Sequence, residues 1–297
     1  MVLIDLFCAI DDFCQEFEPR WNQMLLTNGV KQRHRPGSLS LSEIMTIIVW
    51  FHHSGYRTFK DFYTKKILIH HQPDFPQLVS YSRFVELMAE VGVPLTCFLN
   101  TRKGQMAGIA FIDSTSIAVC HNRRIASNKV FAGLAKRGKT SMGWFYGFKL
   151  HLVVNDAGEL LALKITPGNI DDRAPVPYLT QALIGKLFGD RGYVSHPLFV
   201  ELFERGLHLI TRVKKSKKEC QALMPMFDKL LLRKRAIIES VNDQLKNQSQ
   251  IEHSRHRSPT NFMVNLLAGL IAYTFQAKKP SLNLRPDLVG NLPAVAF

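Results

Sequence analysis

Leu187-Phe188-Gly189-Asp190-Arg191-Gly192-Tyr193 is the stretch from which the fold is read. An apolar run from Leu183 to Phe188 leads into Asp190, which glycines flank and Arg191 and Tyr193 follow. The pattern predicts a buried β-strand that ends in a carboxylate, with glycine turning the chain away. A carboxylate at the end of a core strand is costly unless it meets a cation. Outward from it, the sequence offers two further carboxylates on elements that can reach the same sheet.

Upstream, Gly108 to Val119 has strand period and carries Asp113. Gly143 to Val154 and Leu160 to Thr166 read as two strands around the turn Asn155-Asp-Ala-Gly158. Pro167 to Arg173 leaves the sheet, with Asp171 and Asp172 in a polar turn. Ala174 to Ile184 reads as a helix, Ser195 to Arg205 as another, and Leu207 to Val213 as a strand. The first three strands can pair as a meander. The later ones alternate with helices and call for parallel pairing, which sets Asp113 and Asp190 side by side.

The third carboxylate comes from Lys229 to Asn247, a helix by length and composition. At about 100° per residue, Arg235, Glu239, Asp243 and Lys246 share one narrow face, beside an apolar stripe of Leu231, Ile238, Val241 and Leu245. A surface helix with i,i+4 charge pairs would look the same. Two carboxylates from adjacent strands and one from a packed helix form a hard oxygen site suited to Mg²⁺ or Mn²⁺. Two such ions can activate a water or a 3′-hydroxyl and stabilise the leaving oxygen at phosphorus. His151 and Arg191 are candidates for supporting that site or contacting phosphate.

Charge supports a polyanionic partner. The 297 residues are 46% hydrophobic and 21% charged, with a formal net charge of +14 and a pI of about 9.7. Residues 1–100 hold 9 Lys/Arg and 10 Asp/Glu, so the basic surplus belongs to the rest of the chain. Its basic segments are a loop with Arg123 and Arg124, continuing through Lys129, Lys136, Arg137 and Lys139, and the run Lys214, Lys215, Ser216, Lys217 and Lys218. Both can face DNA or simply be solvated; Arg235 and Lys246 could anchor phosphates beside the scissile one. Lys31 to Arg35 reads as a solvated basic loop. The five cysteines are widely spaced with no Cys-x-x-Cys, which suits a reducing cytoplasm. The amino terminus has no basic n-region, and the apolar run Phe262 to Phe275 is too short to span a bilayer, so neither a signal peptide nor a membrane partner is expected.

The first third reads as an all-α domain. Leu3, Phe7, Ile10, Phe13, Cys14 and Phe17 lie at helical spacing, and Pro19 ends that helix; a second short helix covers Trp21 to Thr27. Ser40 or Ser42 can cap the next, Thr58 to Ile69 is a further one, and Ser80-Tyr81-Ser82 opens another through Val91. Helix–turn–helix units are built this way, and so are structural or dimerising bundles. His52-His53 and His70-His71 are adjacent pairs, which do not share a helix face and make poor zinc ligands. The expected domains are residues 1–104, helical, and 105–297, α/β.

These positions and their surroundings resemble the DDE transposases of bacterial insertion sequences, and among them the IS nine-eight-two family. Asp113 in FIDST matches the first Asp and Asp190 in GDRGY the second. Arg235, Glu239 and Lys246 keep the spacing of the family's Tyr-x2-Arg-x3-Glu-x6-Lys pattern, with Leu232 in place of its Tyr. SMGWFYGFKLH, with His151, TPGNIDDR, the carboxyl-terminal RHRSPTNFMVNLLAGLIAYTF and the helical front are similar too. The resemblance implies an RNase H-like fold, a mixed central sheet flanked by helices. It also implies metal-dependent hydrolysis at terminal inverted repeats, transfer of the freed 3′-hydroxyl into target double-stranded DNA, and a homodimer on paired ends. The 49-residue step from Asp190 to Glu239 leaves no room for the large β-insertion of some relatives. A nuclease that cuts without joining and a non-catalytic DNA-binding repressor remain open at this point.

Overall fold

The computed structural model describes residues 2–29, 37–141, 143–212, 224–252 and 256–282. The chain divides into two compact units: Met1–Arg102 with Gln244–Ala277, and Lys103–Asp243 with Lys278–Phe297. Lys31 to Arg35 and Lys214 to Lys218 lie outside the described residues.

The helical unit opens with α1 (Leu3–Thr27), which buries Leu6, Ile10 and Cys14. It does not stop at Pro19. That residue is exposed, so the carbonyl it leaves unpaired can meet water, and Phe13, Phe17 and Trp21 stack in series along one side. α2 (Leu41–Phe51) starts at Ser40, whose hydroxyl accepts from the Glu43 N–H while the Glu43 carboxylate accepts from the Ser40 N–H. α3 (Phe59–Phe62) is capped by Thr58 and runs on through a π-helical turn to His70. α4 (Tyr81–Met88) is capped by Ser80, and α5 (Gly92–Thr101) follows a 3₁₀ turn. The span Tyr81–Thr101 has the length and apolar character of a membrane-crossing helix, but it buries Phe84, Leu95, Phe98 and Leu99 among the other helices, as a core helix does.

The second unit is built on six strands: β1 (Ile109–Cys120), β2 (Lys136–Thr140), β3 (Gly143–Asn155), β4 (Leu160–Pro167), β5 (Gly185–Gly189) and β6 (Leu207–Thr211). β3 lies antiparallel to β1, and β2 and β4 share its other edge end to end. β1 pairs parallel with β5, and β5 parallel with β6. Its helices among the described residues are α6 (Val176–Leu179), α7 (His196–Glu204), α8 (Met226–Lys234) and α9 (Ala236–Asp243). This is a mixed sheet flanked by helices, the architecture that the resemblance implies.

Alternation along β1 separates two faces. Ala110 and Ile112 join Val153, Leu187 and Leu209 under Val176, Leu179, Leu198 and Leu202. Each buried Val, Leu or Ile side chain among them contributes about 1.5–3 kcal/mol. The other face carries Phe111, stacked on Phe188 at 5.5 Å, then Asp113. There α9 packs on β1 and α8 on β5 and β6, burying Leu231, Leu232, Ile237, Ile238 and Val241.

Beyond α1, three elements differ from expectation. The helix expected over Ala174 to Ile184 shrinks to the single turn of α6, because residues 180–184 carry the chain to Gly185 at φ 102°, where a Cβ would sit 2.6 Å from the Gly108 carbonyl oxygen. Part of the expected basic loop is β2, an edge strand whose outward Lys and Arg disguise it. The long helix expected over Lys229 to Asn247 breaks at Arg235 into α8 and α9, then ends in a π-helical turn, Gln244–Gln248.

A further helix, α10 (Pro259–Thr274), belongs to the first unit. The boundary between the units falls between residues 102 and 103, and residues 244–277 fall with the first unit. α10 is buried on nearly every side among α2, α4 and α5, which is why it is apolar all round. The histidine pairs serve this unit: His52 and His53 bond the carbonyls of Ser249 and Ala272, and His71 pairs with Asp74.

Candidate active site

β1 and β5 pair with a constant offset, Ile109 with Lys186, Ala110 with Leu187 and Phe111 with Phe188. Carried two residues further, this offset sets Asp113 of β1 level with Asp190, and the two are close enough for the Asp190 charge to raise the Asp113 carboxyl. Asp190 is the first residue past β5, and its carboxylate accepts the Gly192 N–H at 2.8 Å, which fixes it at the mouth of the turn Arg191–Tyr193. Glycine suits that tight turn, since a Cβ at Gly192 would lie 3.0 Å from the Asp190 carboxylate.

α9 brings the third acid. Arg235, at the break before it, turns inward: its guanidinium forms an ion pair with Glu239 and lies 3.8 Å from Asp113. The expected i,i+4 pair is therefore present, and the same cation also lies near Asp113. In this state Arg235 is held by acids rather than turned outward as a phosphate anchor. Asn242, one turn beyond Glu239, donates to Asp113 at 3.3 Å, while its own carbonyl oxygen is buried without a partner. Sequence reasoning missed Asn242, although its place three residues after Glu239 put it near the same face.

Burial pushes the Asp113 carboxyl up to about 6; Arg235 opposes the rise, and Asp190 and Glu239 add to it. Tyr193 sits close enough to feel Asp113 and Asp190, and its hydroxyl, buried without a partner, is pushed far up by burial. Among the described residues, no three His, Cys, Asp or Glu side chains converge as a ready ligand set. The donors still fit a divalent cation: all are carboxylate oxygens, and the buried Asp113, crowded by two acids, is a group that a doubly charged ion would draw into its ionised form.

The remaining candidates fall elsewhere. His151 is the register partner of Ser114, so alternation puts it on the face opposite Asp113. It bonds Thr166 at 2.8 Å, and burial lowers it to about 4, so it serves the core and not the carboxylates. Asp171 pairs with Arg173 and Asp172 with Lys149. Lys246 lies in the π-helical turn of the helical unit and pairs with Glu252 at 3.2 Å. Arg191 is exposed beside Asp190, and Arg123 and Arg124 are exposed in a 3₁₀ turn after β1.

The family model described as the transposase DDE domain matches residues 103–259, more than half of the chain. The chain belongs to the DDE transposase domain family. Its match begins where the sheet unit begins and covers Asp113, Asp190 and Glu239. No curated protein matches this transposase chain. Among solved structures it is similar to the Mos1 mariner paired end complex with Mn, with 12% identity over 88% of each chain and a TM-score of 0.25. A likeness at that level bears on neither fold nor mechanism.

Proposed function

We propose that this transposase, of the kind found in the IS nine-eight-two family, cuts double-stranded DNA at the ends of its element and joins the freed 3′-hydroxyl to target DNA, with Asp113, Asp190 and Glu239 as its catalytic carboxylates. The observation that carries the proposal is the level placement of Asp113 and Asp190 on adjacent parallel strands, with Glu239 reaching the same point through Arg235. The three acids would hold Mg²⁺ or Mn²⁺, two ions by the resemblance. Such ions, when bound, supply an activated oxygen nucleophile and stabilise the leaving oxygen.

The chain's own groups do the rest. The Gly192 N–H holds Asp190 in one orientation, and the Asn242 amide holds Asp113. Arg235, freed from Glu239, offers a planar two-pronged donor to a phosphate of the bound strand. Arg191, Arg123 and Arg124 are placed to add phosphate contacts, and a net charge of +14 draws the polyanion in. The protein acts in the cytoplasm, and paired ends call for two copies. The helical unit is then free to bind DNA or a second chain. A non-catalytic DNA binder is the second reading; the Arg235 guanidinium, paired with Glu239 and close to Asp113, favours it.

The test uses labelled DNA carrying the element's ends, Mg²⁺, and the wild type beside Asp190→Asn. Joined product from the wild type alone supports the proposal. Cleavage without joining indicates a nuclease, and binding with neither reaction leaves the non-catalytic reading.

A further inference from the structure

The sheet has a basic extension beyond the carboxylate site. β1 runs seven residues past Asp113 to Cys120, and β3 begins well before Leu152, the register partner of Asp113. At about 3.3 Å per residue, the tip of this ribbon stands roughly 25 Å along the strands from Asp113. No Asp or Glu occurs from Ser114 to Asn155, whereas Lys and Arg recur. The ribbon is closely built: a Cβ at Gly147 would sit 2.0 Å from the Ile117 carbonyl oxygen, so only glycine lets β3 approach β1 there.

At the tip, Lys139 of β2 faces Trp144 of β3, with its Nζ 5.8 Å from the centre of the indole ring. Trp144 is 61% exposed. Arg137 is exposed on the same face of β2. The turn with Arg123 and Arg124 is fastened to this point, because the Asn122 side-chain amide donates to the Trp144 carbonyl at 2.7 Å. Cations alone would suffice to hold phosphates. A large exposed indole adds nothing to phosphate binding, but it offers a flat face on which a base can stack.

We infer that this tip is a binding site for DNA with unpaired bases: Trp144 stacks on an exposed base while Lys139, Arg123 and Arg124 hold the flanking phosphates. The inference rests on DNA being the substrate of this transposase, but not on the roles of the three carboxylates.

The test is equilibrium binding by fluorescence anisotropy, with the full chain carrying Asp190→Asn and in chelator, so that no reaction intervenes. The probes are a single strand, a duplex with an unpaired overhang, and a blunt duplex. Trp144→Ala is expected to weaken binding of the first two by roughly 5- to 100-fold, with less than a twofold effect on the blunt duplex. Trp144→Phe retains most of the affinity. Replacing Arg123 and Arg124 by Gln weakens all three and reduces the salt slope for the single strand by about 1.4. The inference is overturned if Trp144→Ala leaves the first two probes unchanged or weakens all three alike. A chain that binds none of the probes overturns the proposed function with it, whereas binding that is indifferent to Trp144 overturns this inference alone.

Discussion

Replacing Asp113 by Asn should make the metal-free protein more stable while abolishing its activity. The Asp113 carboxyl is raised from 3.8 to about 6, chiefly by burial. At about 1.36 kcal/mol per pH unit, keeping it ionised at neutral pH costs the fold about 3 kcal/mol. The sign follows from proton binding. Between pH 3.8 and 6 the folded chain holds a proton that the unfolded chain has released, so this cost is present in full above pH 6 and disappears as pH falls to 3.8. Asn is neutral throughout, its carbonyl oxygen can still accept from Asn242, and Arg235 keeps Glu239. Allowing for imperfect mimicry of the protonated acid, the expected gain is about 1.5–3 kcal/mol at pH 7.5 and near zero at pH 4. Urea unfolding in chelator at the two pH values measures it. Adding Mg²⁺ should raise the wild-type midpoint, since a ligand of the folded state stabilises by mass action, and leave the variant unmoved. Loss of stability at pH 7.5, or an equal gain at both pH values, would refute the reasoning.

Two further predictions concern the fold. His52, His151 and His256 are each lowered to about 4, first by burial, so the unfolded chain takes up protons before the folded one as pH drops below 6.5. Stability should fall steeply between pH 6.5 and 4, with His52 alone accounting for about 3 kcal/mol; a His52→Gln variant should show a shallower loss in urea midpoints over that window. Lys186 pairs at 2.7 Å with Asp228, whose side chain is 9% exposed. Lys186→Met should cost about 3 kcal/mol by stranding that carboxylate, and adding Asp228→Leu should recover most of it, as thermal unfolding of the two variants would report.

The parts of the fold written in local pattern were legible. Strand period and a turn placed β3 and β4 around Asn155-Asp-Ala-Gly158, and the alternation of helix with strand required β5 and β6 to be parallel. Asp113 comes beside Asp190 because β1 pairs parallel with β5. What escaped depended on distant partners. Pro19 passes inside α1 because its freed carbonyl faces water, which no local rule states. β2 looked like a loop because an edge strand is armed with charge. α10 read correctly as a buried helix, but periodicity does not say which unit buries it. At the site, the spacing singled out Arg235, yet its inward turn between Asp113 and Glu239 reflects electrostatics among groups brought together only by folding. His151 drew attention by its motif, but strand parity sends it to the opposite face.

The central claim, that Asp113, Asp190 and Glu239 form one metal site, is tested most directly by anomalous diffraction from crystals soaked in Mn²⁺. The account predicts a peak at about 2.1 Å from oxygens of Asp113 and Asp190, with Arg235 displaced from Glu239. No peak at these carboxylates, with the Arg235 pairing intact at saturating Mn²⁺, would contradict it.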